Sequence, residues 1–245
     1  MILILSGLII GAVMGLTGAG GAIIAIPLFM QFLSLSLKEA SVLSLVAAAL
    51  ASLLNLLSQR RHVDLPLALS LFLPSVLGSY VSALFKASLP ELVMKVLLGG
   101  ISLYAFYAVW FPSREEGGQG HAGLFLGAGV GLILGVLTTL TGLGGGVLLL
   151  PVLLSVFGLP HQRAVATSLV AVSLTSLTSL LIQMLRGAEA AAVEQISYLA
   201  AGILISALSL GYLLKRVSPS LTQRISRIVF SLVVIIALVK IFGPS

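Results

Sequence analysis

The chain has 245 residues, of which 59% are hydrophobic and only 8% are charged. A soluble domain averages about 25% charged residues, so this sequence cannot form a solvated exterior and predicts an integral membrane protein. The net charge of +6 is spread over basic groups no longer than Arg60-Arg61-His62. That pattern excludes a nucleic-acid surface and fits cytoplasmic loops instead.

The composition also leaves little room for metal or redox chemistry. There is no cysteine, and the three histidines, His62, His121 and His161, lack the spacing of metal ligands. The sequence contains no Walker motif, no nucleophile elbow and no metal-binding motif. We therefore expect neither an enzyme nor a bound cofactor or metal.

In chain order, the apolar segments predict an all-α protein whose helices are interrupted by two glycine-rich breaks. The first segment lacks the positive region of a signal peptide, so we expect it to be retained. The predicted helical segments of the first half are residues 2–16, 23–35, 40–57, 65–85 and 92–111. Those of the second half are residues 123–140, 147–157, 164–185, 190–214 and 221–242.

The two halves are related by one constant shift in numbering, the shift that takes Thr17 to Thr141. It also superposes the residues Gly18, Gly20, Gly21, Pro27, Ser44 and Gly78 on Gly142, Gly144, Gly145, Pro151, Ser168 and Gly202. A threonine–glycine–proline pattern kept in register is not expected by chance. We infer a first membrane repeat (residues 1–111), a polar linker (112–122) and a second repeat (123–245), an organisation typical of secondary transporters.

The direction of the second repeat depends on how each break crosses the bilayer. If the segments around a break form a re-entrant hairpin, each half has three full spans and the second half is inverted. If they form one bent span, each half has four spans and the halves are parallel. The short apolar pieces favour the hairpin, and hence an inverted repeat. Both alternatives place both termini outside the cytoplasm by the distribution of positive charge.

The breaks are also the predicted binding site. Backbone polar groups cannot stay unpaired in hydrocarbon, so each break must lie against protein or line a water-filled cavity. Because the charged residues fall in loops or near span ends, we expect binding by neutral groups only. Helix N-termini and glycine-rich nests of N–H groups suit a small anion.

The candidate substrate-binding residues come from the two breaks and from the spans that follow them. They are Thr17, Gly18, Gly20, Gly21, Ser44, Thr141, Gly142, Gly144, Gly145, Gly146, Thr167 and Ser168. Pro27 and Pro151 are expected to kink the helices that leave the breaks. A structural role competes with these interpretations, because glycines such as Gly131 and Gly135 let membrane helices pack closely and serines often bond their own helix.

The pattern Gly-x-x-x-Gly-x-Thr-Gly-x-Gly-Gly…Pro at residues 11–27 resembles the sulfite exporter TauE/SafE family. A second copy at residues 135–151 and the sequence Ala-x-x-x-Ser-Leu at residues 40–45 and 164–169 extend the resemblance over essentially the whole chain. It implies a multi-pass permease of the bacterial or archaeal inner membrane for small anions, notably sulfite and organosulfonates.

The two copies of the motif are not identical. Thr139 stands where the first copy has Gly15, and Ala22 stands where the second has Gly146. These exchanges of small residues suggest that the two breaks need not contribute equally.

Together these features predict a secondary transporter or exporter of a small sulfur-containing oxyanion, such as sulfite or sulfoacetate. The anion would be bound near the midplane of the bilayer and moved by alternating access. Na⁺ and H⁺ are candidate coupling ions, although the lack of a buried carboxylate argues against a direct proton relay. The alternatives are an anion-selective channel that uses the same glycine nests and a membrane scaffold that moves nothing. The sequence leaves the oligomeric state open.

Overall fold

A computed structural model describes residues 2–17, 21–59, 62–110, 124–186 and 198–206, together with positions 228, 231–232, 234–235 and 238–239. The regular structure of these residues is helical, which confirms the predicted all-α class. The helices are α1 (Ile2–Thr17), α2 (Gly21–Phe32), α3 (Leu37–Gln59), α4 (Leu65–Lys86), α5 (Glu91–Trp110), α6 (Leu124–Thr141), α7 (Gly146–Ser155) and α8 (His161–Leu185). Residues 198–206 are helical as well. The predicted linker at residues 112–122 lies outside the described residues.

Local capping signals explain where the central helices begin. At the start of α3, the Ser36 hydroxyl accepts the Glu39 backbone N–H at 3.3 Å, and the Glu39 carboxylate accepts the Ser36 N–H at 2.8 Å. This reciprocal pair satisfies two donors that a helix start would otherwise leave free. At the start of α4, the Asp64 side chain accepts the Leu67 N–H at 3.2 Å. Pro66 stands in the first turn, where its missing N–H costs nothing.

Three of the described helices are long and apolar enough to cross a membrane. They are Leu37–Leu57, Leu65–Lys86 and Gln162–Leu185. Large apolar side chains such as Leu73 and Leu77 are exposed on the outside of α4, where a bilayer would solvate them. The fold is therefore that of a multi-pass membrane protein.

Helices α3 and α8, which are equivalent positions of the two halves, pack against each other. Helix α4 lies against both α6 and α8, so α3, α4, α6 and α8 enclose the interior. The two breaks differ in their surroundings: α1 packs against α2, whereas α6 and α7 hardly touch each other in the described residues. The re-entrant hairpin and the inverted direction of the second half both stay predictions.

The close approach of α4 to α6 depends on glycine. A Cβ atom on Gly131 or Gly135 of α6 would strike the backbone of α4 at Leu71 or Ser75. A Cβ on Gly78 of α4 would in turn strike the backbone of α6. These glycines therefore act in helix packing, as expected for small residues at membrane helix interfaces.

The same kind of contact occurs a second time in the molecule. Gly7 of α1 lies against the backbone of residues 198–206, and a Cβ on Gly202 would strike the backbone of α1 at Ile4. Gly78 and Gly202 are the two positions that the internal shift superposes. The first helix of each half thus packs against a glycine-containing helix of the other half.

Candidate functional site

The second glycine break, residues 142–145, joins α6 to α7 and is fully buried. Gly142, Gly144 and Gly145 have φ angles of +76°, +68° and +70°. These left-handed conformations are easily adopted by glycine and strained for other residues. The break lies against protein, which is one of the two environments that a membrane interior allows.

Side chains cannot be added at the break because neighbouring helices approach its α-carbons. A Cβ on Gly142 would lie 2.6 Å from the Ser41 α-carbon of α3. A Cβ on Gly144 would lie 2.6 Å from the Ala48 side chain, and one on Gly145 would lie 2.7 Å from the Thr138 hydroxyl oxygen. Helices α3, α6 and α8 therefore close around the break.

Several hydrogen-bond donors at the break have no acceptor. The Gly142 N–H donates to the Thr138 carbonyl at 2.8 Å, and the Leu149 N–H of α7 donates to the Gly145 carbonyl at 3.0 Å. No acceptor in the described part of the chain reaches the N–H groups of Gly144, Gly145 or Gly146. Helix α7 thus begins without a side-chain cap, and its N-terminal donors point into the buried interior.

Two hydroxyl groups beside these donors are also unpaired. Thr138 and Ser176 are completely buried, and neither side-chain oxygen has a hydrogen-bond partner among the described residues. Ser176 faces Gly144 from α8, and Thr138 faces Gly145 from α6. Buried polar groups are nearly always satisfied in folded proteins, so this cluster is the place where the described residues leave hydrogen-bonding capacity unused.

A track of polar side chains continues from the break along α8. Ser176, Ser179 and Gln183 are spaced so that they share one face of the helix. The Ser179 hydroxyl forms a hydrogen bond with the Ser79 hydroxyl of α4 and accepts another from the Thr139 hydroxyl of α6, each at 2.9 Å. The interior enclosed by α3, α4, α6 and α8 is therefore polar rather than apolar.

Lys86 lies at the end of this track. Its side chain is only 7% exposed, and its ammonium donates to the Ser41 hydroxyl at 2.7 Å and to the Gln183 side-chain oxygen at 2.6 Å. Lys86 is thus a buried cation at the end of a span, and the expectation that substrate is bound by neutral groups only stays a prediction. Lys86 is the last residue of its span, where a lysine usually extends to the membrane surface, but here its side chain is directed to Ser41 of α3 and Gln183 of α8.

The structure brings half of the predicted binding residues together at the second break. The group consists of Ser44, Thr141, Gly142, Gly144, Gly145 and Gly146. The Ser44 hydroxyl donates to the Gly142 carbonyl at 2.6 Å and so fixes the break against α3. The Thr141 hydroxyl donates to the Leu137 carbonyl of its own helix at 2.6 Å, so its proton is already used.

Thr167 and Ser168 lie elsewhere, towards the start of α8. The Thr167 hydroxyl accepts the Asp64 backbone N–H at 3.0 Å and holds the connection between α3 and α4. The Ser168 hydroxyl donates to the Val165 carbonyl of its own helix at 2.8 Å. Their predicted contact with substrate stays a prediction.

The predicted residues of the first break are not available for comparison. Gly18 and Gly20 lie outside the described residues. Thr17 is the last residue of α1 and Gly21 is the first residue of α2, and the surroundings of these two residues are not described. Pro27 and Pro151 lie inside α2 and α7, which continue through them.

The polar residues that the structure adds around the second break are not among those that the sequence predicted for the site; they are Thr138, Ser176, Lys86, Ser41 and Gln183. A weak signal existed for Ser176 and Gln183, which lie on one face of an otherwise apolar span. No comparable signal exists for Lys86, because its burial depends on how α4 packs against α3 and α8.

Comparison with known protein families shows where the chain belongs. The profile of the family described as Sulfite exporter TauE/SafE matches residues 3–241. The chain belongs to the sulfite exporter TauE/SafE family. It is therefore a member of a family of membrane transporters, and the resemblance carried by the two glycine motifs is confirmed.

A curated relative points the same way. The Bacillus subtilis (strain 168) protein named Probable membrane transporter protein YunE is 28% identical over 216 residues, covering 76% of this chain and 79% of that protein. No solved structure matches the chain.

Proposed function

We propose that this TauE/SafE family protein is a secondary transporter that exports a small sulfur-containing oxyanion, such as sulfite or sulfoacetate. The proposal combines the substrate class implied by the family with the chemistry of the second break. Substrate would bind at residues 142–146 in the interior between α3, α6 and α8. The first break would supply equivalent donors from the other half.

The observation that carries the proposal is the convergence of unpaired donors at the start of α7. The N–H groups of Gly144, Gly145 and Gly146 have no acceptor in the described residues, and the hydroxyls of Thr138 and Ser176 are unpaired beside them. A helix N-terminus adds about half a positive charge. An oxyanion offers only acceptor oxygens, so it complements such a site.

The burial of the site favours a carrier over the alternative of an anion channel. Thr138, Ser176 and the glycines of the break are all inaccessible to solvent in this conformation. A carrier has such an occluded site and exposes it to each side in turn, whereas a conducting channel needs a continuous path. The inside-negative membrane potential would favour export of an anion by about 2.3 kcal/mol per charge per 100 mV.

A binding screen on the purified protein tests the proposal. Thermal unfolding in detergent is measured with sulfite, sulfoacetate, thiosulfate, sulfate, taurine and acetate. A ligand present at about 100 times its Kd stabilises the folded state by roughly 2.7 kcal/mol, which corresponds to a rise of a few degrees in Tm. We expect that rise with sulfite or sulfoacetate. Stabilisation by neutral solutes or cations alone would overturn the anion proposal.

A further inference from the structure

We propose that Lys86, Ser41 and Gln183 form the part of the site that recognises the negative charge of the substrate. This inference rests on the proposed anion transport and assigns the residue that the charge contacts. The ligand class is an oxyanion with a formal negative charge. A neutral molecule of the same shape, such as a sulfone, would not be held.

The first step is that the Lys86 ammonium has no negative partner. Among the described residues, one ion pair is found, between the side chains of Lys95 and Glu91 at 3.5 Å. It does not involve Lys86. The nearest acid along α3, Glu39, is exposed and bonded to the Ser36 hydroxyl at 2.7 Å. An ammonium buried with neutral partners alone pays a desolvation cost that hydrogen bonds recover only in part.

The neighbouring charges are positive as well. The Lys38 ammonium at the start of α3 donates to the Ala87 carbonyl, just beyond Lys86, at 2.8 Å. At the end of α8, Arg186 lies over the Tyr80 ring, 5.9 Å from its centroid. Lys38 at the start of α3 and Arg186 at the end of α8 therefore add positive charge at the ends of the two helices that contact Lys86, which attracts an anion.

Two donors remain available beside this charge. The two hydrogen bonds from Lys86 use two of the three ammonium N–H donors. The Gln183 side-chain nitrogen is buried and has no partner among the described residues, while its oxygen accepts from Lys86. An ammonium and an amide that each keep an unused donor fit a charged oxygen.

Ser41 connects this cluster to the glycine break. Its hydroxyl accepts from Lys86 at 2.7 Å, and the backbone of the same residue lies against Gly142. The unpaired donor at Gly144 faces Ala48 and Ser176, which are seven residues from Ser41 and Gln183 and hence about 10 Å away along α3 and α8. The same oxyanion can therefore use the two groups at successive positions.

The test is calorimetric titration of the full-length purified protein with sulfite and with sulfoacetate. The variants are Lys86→Met, which removes the charge, Lys86→Arg, which keeps it, and Gln183→Glu, which gives Lys86 a permanent carboxylate partner. Gln162→Glu is the matched control, because it adds the same charge at an exposed position of α8, roughly 30 Å away along the helix. Gel filtration confirms that each variant is folded.

We expect Lys86→Met and Gln183→Glu to weaken anion binding at least about tenfold, the usual effect of losing a hydrogen bond to a charged group. Lys86→Arg retains measurable binding, and Gln162→Glu binds like the wild type. If Lys86→Met does not fold, Gln183→Glu decides, because its carboxylate leaves Lys86 paired. If Gln183→Glu and any folded Lys86→Met bind the anions with wild-type affinity, this inference is overturned, whereas the proposed function is not. A wild type that binds neither anion overturns the proposed function, and the charge site with it.

Discussion

Thr138 and Thr139 are neighbours in α6, but their hydroxyl groups have different environments. The Thr139 hydroxyl donates to Ser179 at 2.9 Å, whereas the Thr138 hydroxyl is buried without a partner among the described residues. A hydroxyl with a structural partner and a hydroxyl that we propose binds substrate can therefore be compared at adjacent positions of one helix.

We expect Thr138→Val to weaken sulfite binding by roughly 2- to 10-fold, because one donor to the anion is lost. The same change should leave the stability of the ligand-free protein unchanged or higher, since an unsatisfied buried group is removed. Thr139→Val should instead lower the free energy of unfolding by about 1 kcal/mol. Calorimetry and thermal unfolding measure the two effects. A loss of stability without a loss of affinity in Thr138→Val would contradict a binding role.

Gly145 combines a positive φ with a filled neighbourhood. In Gly145→Ala, the new methyl group would lie 2.7 Å from Leu134 and Thr138 at a φ of +70°. We expect at least a tenfold loss of sulfite transport, because the donors at the start of α7 are displaced. Gly129→Ala is the matched control, since a Cβ there meets no atom within 4 Å. Equal transport by the two variants would show that the break does not position the substrate.

Among individual residues, the sequence predicted the glycine break at residues 142–145, and its role in binding stays a prediction. Adjacent glycines in an apolar segment have a distinctive pattern, and the duplication made the pattern more specific. Lys86 and Thr138 have no such pattern, because burial and pairing depend on neighbouring helices. The sequence alone therefore did not predict that the Lys86 ammonium is buried.

Among the elements, α4 and α6 have the closest contact, and small residues explain it. The sequence predicted both helices within a few residues, because their apolar lengths and the Asp64 cap are local features. It did not predict that α6 of the second half would pack against α4 of the first. That pairing depends on where Gly131 and Gly135 meet the α4 backbone.

Gly131→Val tests this packing. The added side chain would collide with the backbone of α4 at Leu71, so we expect the free energy of unfolding to fall by about 1–3 kcal/mol or more. Gly129→Val, on the exposed face of the same helix, should change it by less than about 0.5 kcal/mol. Thermal unfolding in detergent provides the comparison. Equal stability of the two variants would mean that α4 and α6 do not approach as closely as described.

For the whole molecule, the sequence predicted an all-α membrane protein of the TauE/SafE family, and both predictions are confirmed. The site lies between helices of both halves, since α3 and α4 come from the first and α6 and α8 from the second. If substrate binds there as we propose, a relative movement of the halves would open and close the site, which is the proposed alternating access. The direction of the second half and the coupling ion stay predictions, because neither follows from helix packing alone.

The most direct test of this account is counterflow in proteoliposomes. Vesicles containing the protein are loaded with unlabelled sulfite and diluted into a trace of labelled sulfite, with sulfoacetate tested in parallel. We expect labelled anion to accumulate transiently in wild-type and Gly129→Ala vesicles and to be at least about tenfold slower with Gly145→Ala. If folded, reconstituted wild-type protein exchanges neither sulfite nor sulfoacetate, the account is contradicted. Current at ion-channel rates without counterflow would contradict it in favour of a channel.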